Sequence, residues 1–90
     1  MRESPVRLIR EELKLTRTAL AVALGVDVGL VSRVEAGLTR SFSPKFRDGL
    51  MALGLWTAEL PREQARYCDA VREEIVNQVK RSELVKSLQP

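Results

Sequence analysis

The chain contains no histidine and a single cysteine, Cys68, against fifteen lysines and arginines and twelve acids. Those residue types limit its chemistry. Histidine-based acid–base catalysis is excluded, and one thiol without imidazole partners is not expected to build a transition-metal site. The lone cysteine also excludes an intrachain disulfide and suits a reducing compartment. There is no nucleophile–base pair, no glycine-rich phosphate loop and no metal-ligand cluster. An enzyme is therefore not expected, and no cofactor or metal is called for. What remains is the binding of anions by cations. Residues 1–57 hold nine Lys/Arg against six Asp/Glu, whereas residues 58–90 hold six against six. The basic surplus lies wholly in the first two thirds, which points to a polyanionic partner there.

Elements must position those cations, and ninety residues supply one small domain with a modest core. Such a chain buries about 60–70% of its unfolded surface, so oligomerisation is a natural source of extra stability. No apolar run approaches the ~18 residues of a membrane span, and no signal-peptide pattern opens the chain. A cytoplasmic location follows as the expectation.

Apolar residues recur at three- and four-residue steps without β-alternation, so nearly everything reads as helix. Ser4-Pro5 starts a first helix with Val6, Ile9 and Leu13 inside. Thr16 caps a second, with Leu20, Ala21 and Leu24 buried, and Gly25 turns the chain. Asp27 caps a third, with Val31 and Val34 inward and Gly37 at its end. Ser43-Pro44 launches a fourth bearing Phe46, Leu50 and Leu53, closed by Gly54. From Pro61 a long helix carries the stripe Ala65, Cys68, Val71, Ile75 and Val79, acids early and bases late, matching its dipole. The polar stretch Lys80–Glu83 is a candidate break before Leu84, Val85 and Leu88.

Two short helices joined through Leu24-Gly25-Val26, with Asp27 capping the second, have the layout of a helix-turn-helix. Ala21 is small enough for the helices to cross closely, Gly25 can take the positive φ of the turn, and Val26 and Val31 plug the space between them. Through Leu15-Thr16, Leu20-Ala21, Leu24-Gly25-Val26, Ser32-Arg33, Glu35 and Gly37, the sequence resembles the Xre/Cro-type helix-turn-helix family of phage and bacterial repressors. The likeness runs from about Val6 to Leu60. It implies a compact all-α helix-turn-helix domain of four to five helices over residues 1–60, to which the apolar stripe adds a long C-terminal helix in 61–90, so that the expected fold is all-α. It also implies double-stranded DNA as partner, with the third helix in the major groove and dimers reading half-sites about one turn apart.

Carried over residue by residue, the resemblance makes Arg10 and Glu35 a structural ion pair. Val28, Gly29, Ser32 and Arg33 occupy the base-facing positions. Arg33 alone can form a bidentate contact to guanine O6 and N7, with a phosphate contact as its alternative. Val28 can only touch a thymine methyl or fill space, and Gly29 offers backbone and room. Arg17, where the family commonly has glutamine, is a phosphate candidate at a helix N-terminus. Thr39, Arg40 and Lys45 are phosphate candidates in and after a loop longer than the family's; solvated side chains are the alternative for each.

The tail lies outside the family core, so part of its apolar stripe is left over. Tyr67, Val71, Ile75 and Val79 are the candidate homodimer interface. The expected function is a sequence-specific transcriptional regulator, a repressor or the controller of a phage or other mobile cassette. It would act on a palindromic operator by blocking or recruiting RNA polymerase. The alternative is an interaction module, an antitoxin or anti-repressor, that keeps the fold with weakened readout; the apolar front Val28-Gly29-Leu30 is its support.

Overall fold

The computed structural model describes residues 3–88, apart from the Val85 side chain, so the expectation for Val85 lies outside the described residues. Among the described residues six helices follow one another: α1 (Pro5–Glu12), α2 (Arg17–Leu24), α3 (Val28–Glu35), α4 (Pro44–Ala52), α5 (Leu60–Arg81) and α6 (Glu83–Leu88). No strand occurs among the described residues. The architecture is all-α, a helix-turn-helix unit followed by a long C-terminal helix.

Local chemistry sets the starts and stops. Ser4, Thr16 and Ser43 each accept the backbone N–H three residues on, at 3.2, 3.0 and 3.3 Å, and Asp27 accepts that of Gly29 at 3.0 Å. Each bond satisfies one of the donors a helix start leaves open. The first four helices end alike, on a residue with positive φ whose following neighbour donates its N–H to the carbonyl five residues before it: Lys14, Gly25, Gly37 and Gly54. Three of these are glycine, and Lys14 accepts the left-handed conformation at φ 58° instead.

Val6, Leu20, Ala21, Leu24, Val31, Val34, Phe46, Leu50 and Leu60 form the core. Phe42 stacks on Phe46 at 5.5 Å and meets Trp56 edge-on at 5.6 Å, sealing one end. Two expected core residues lie elsewhere. Leu13 and Leu53 are the C-caps of α1 and α4 and are exposed, because each helix ends one residue before its last apolar position.

Helix α5 starts one residue before Pro61, and its buried positions are Leu60, Gln64 and Cys68. Ala65, expected on the inner stripe, is only half-buried. Ser82, in extended conformation, separates α5 from α6. Twenty-two residues make α5 about 33 Å long, too long for the globule to cover. The chain measures 54 × 25 × 23 Å with a radius of gyration of 15.8 Å, against about 12 Å for a compact chain of this length.

Candidate nucleic-acid interface

Glu35, in the last turn of α3, is 5% exposed. A buried carboxylate needs partners, and it has them. Arg10 grips it with a fork, Nε to Oε2 at 2.7 Å and Nη2 to Oε1 at 3.0 Å, while Nη1 donates to the Leu15 carbonyl at 2.9 Å. The hydrogen bond to Glu35 raises the Arg10 pKa above its ordinary value, so this side chain stays charged. Arg17 donates its Nε to the same carboxylate at 3.3 Å, and its side chain is otherwise about half exposed. One acid therefore holds two guanidinium groups, leaving a positive charge at the start of α2. This geometry ties α1 and α2 to the end of α3.

On α3, Arg33 is exposed, and among the described residues no acid lies within ion-pair distance of it. Side chains on a helix lean toward its N-terminus. The guanidinium accordingly lies back over Gly29, with Nη1 3.4 Å from where a β-carbon on residue 29 would sit. Ser32 and Gly29 are half-buried, and Val28 is 41% exposed. Leu30 is half-buried and packs against the core, so the apolar front expected at residues 28–30 reduces to Val28. That removes most of the support for the interaction-module alternative.

The loop after α3 is tied to α5. Gln64 Nε2 donates to the Val34 carbonyl at 3.1 Å and the Thr39 carbonyl at 2.8 Å. Cys68 donates its thiol to the Thr39 carbonyl at 3.1 Å, and burial pushes its pKa up, keeping the proton in place. Arg40 is held by Asp69 through two bonds, Nε to Oδ1 at 3.0 Å and Nη2 to Oδ2 at 3.1 Å. The same hydrogen bonds hold the Asp69 carboxyl below its ordinary pKa. A phosphate at Arg40 must share it with Asp69, whereas Lys45 is exposed and without an acid partner among the described residues.

The four residues expected at an interface divide into two pairs. Tyr67 turns inward and its hydroxyl donates to the Glu35 carbonyl, while Val71 packs on Gly37. Ile75 and Val79 are 49% and 53% exposed. Between them and the loop, Gly37, Leu38, Val71, Ile75 and Val76 line an open groove of about 270 Å³. Sequence reasoning missed Gln64 and Asp69, since a buried polar residue and a paired acid leave no mark on an apolar stripe.

Among the described residues, no three His, Cys, Asp or Glu side chains are placed to hold a metal ion, and no helix is long and apolar enough to cross a membrane. No curated protein and no solved structure matches the chain. A family model described as helix-turn-helix matches residues 6–46, from the start of α1 into α4. Those residues contain the capped pair α2–α3, the Arg10–Glu35 tie and exposed Arg33, and over them the chain is similar to the Xre/Cro-type helix-turn-helix family, a family of DNA-binding regulators.

Proposed function

We propose that the chain is a sequence-specific transcriptional repressor or cassette controller, working in the cytoplasm as a homodimer on a palindromic operator. Helix α3 enters the major groove. Arg33 reads guanine there, Ser32 bonds to a base or a phosphate, and Val28 and Gly29 face bases without polar contact. Arg17, Thr39, Arg40 and Lys45 fix the register on the phosphates. Residues 1–60 are the reading unit, and 61–90 the dimerisation element, whose first turns also pack under that unit. Bound at a promoter, the dimer would block RNA polymerase.

The observation that carries this reading is the state of Arg33: exposed, without an acid partner among the described residues, and laid toward the front of α3 over Gly29. Dimerisation is supported by Ile75 and Val79, which are exposed where α5 leaves the globule.

The test is duplex binding across a salt series, using the DNA footprinted beside the gene and a scrambled duplex. Affinity should fall by about 0.9 log units per log unit of salt for each phosphate neutralised. Arg33→Ala should cost about 1–3 kcal/mol on the operator and little on the scrambled duplex. Lys45→Ala should weaken both alike and flatten the salt slope by about one phosphate. Uniform weakening by Arg33→Ala would reduce Arg33 to a phosphate contact. No binding to any duplex at low salt would favour the interaction module instead.

A further inference from the structure

The last turn of a reading helix must be held still, because its carbonyls have no partners within the helix. In α3 three of them are closed by the turn itself: Ala36 N–H reaches the Ser32 carbonyl at 2.9 Å, Leu38 N–H the Arg33 carbonyl at 3.0 Å and Gly37 N–H the Val34 carbonyl at 3.2 Å. The rest of the work is done from α5. Tyr67 closes the Glu35 carbonyl, and Gln64 adds a bond to that of Val34. Gln64 and Cys68 together close Thr39, in the loop that carries Arg40. Gln64 is fully buried, so these bonds are not shared with solvent.

We propose that Tyr67 and Gln64 are positioning residues for DNA recognition, acting on the bases through the carbonyls that hold α3 and its loop. Both lie beyond the segment matched by the helix-turn-helix family model. The reasoning is one of where an ordering cost falls. A base contact requires Arg33 at one position, so any looseness in the last turn of α3 is lost on operator binding. Phosphates on a non-specific duplex accept many positions, and that complex loses nothing. Tyr67 and Gln64 thus set the ratio of the two affinities without touching DNA. This rests on the reading of Arg33 as a base contact.

The experiment is Tyr67→Phe in the full chain, which deletes one hydroxyl and keeps the ring beside Gly37. Operator affinity should drop about three- to tenfold, the equivalent of one net hydrogen bond. Affinity for a scrambled duplex, the salt slope, the helical circular dichroism and the mass in solution should not change. Gln64→Met, which keeps the side-chain length without a donor, should give the same pattern. A merely structural role would lower the melting temperature and leave the affinity ratio of the folded protein unchanged, and that result overturns the proposal. Equal weakening on both duplexes overturns it as well. If the wild-type chain shows no operator preference, or Arg33→Ala does not reduce one, the parent reading has failed. A preference lost in Arg33→Ala but kept in both α5 variants sinks this inference alone.

Discussion

Glu35 shows how one residue can serve four helices. Its carboxylate receives Arg10 from α1 and Arg17 from α2, and its carbonyl receives Tyr67 from α5. The consequences of removing each partner differ with burial. Glu35→Gln leaves the Arg10 guanidinium, whose side chain is 14% exposed, without its counter-charge, and should cost about 3–5 kcal/mol in urea denaturation. Arg17→Ala removes a half-exposed partner and should cost at most about 1 kcal/mol. The contrast would vanish if the pair were only a surface contact. Glu35 could be assigned a structural role from sequence because its spacing to Arg10 follows a family pattern. Gln64 could not. Nothing in a polar residue at one helix position tells that two carbonyls from 30 and 25 residues earlier will lie against its amide.

The joint between α3 and α5 turns on Gly37. Its φ of +80° is one reason for glycine, costing another residue about 1–2 kcal/mol. Its second reason is space, since a β-carbon would lie 2.9 Å from Val71 Cγ2. Gly25 shares the first reason at φ +72° but has nothing within 4 Å. Gly37→Ala should therefore destabilise the fold by about 1–3 kcal/mol more than Gly25→Ala, measured side by side in denaturant; equal losses would mean that α5 yields. The helix boundaries were legible because caps are local: Ser4, Thr16, Asp27 and Ser43 all cap as their sequence contexts suggest. The packing of α5 was less so. Its apolar stripe continues unbroken from residues that face the core to residues that face water, and periodicity is identical on either side of that line.

The whole molecule is a helix-turn-helix globule with a helix standing out from it, 54 Å end to end. If the projecting stripe pairs two copies, Ile75→Glu should halve the mass in light scattering. Helix content should be unchanged, since Ile75 is already half exposed in the single chain. An unchanged mass would move dimerisation to another face. The long helix has a further consequence, in time and not in space. Its first turns, from Leu60 to Val71, are fastened to the core and to the end of α3. Their amides can open only when that structure opens. Its later turns rest on their own ladder of hydrogen bonds and fray from the tip, at far smaller free-energy cost. One continuous helix thus keeps two clocks. A partner that covers the outer turns would slow the fast clock alone, and the end of α3 would go on keeping the slow one.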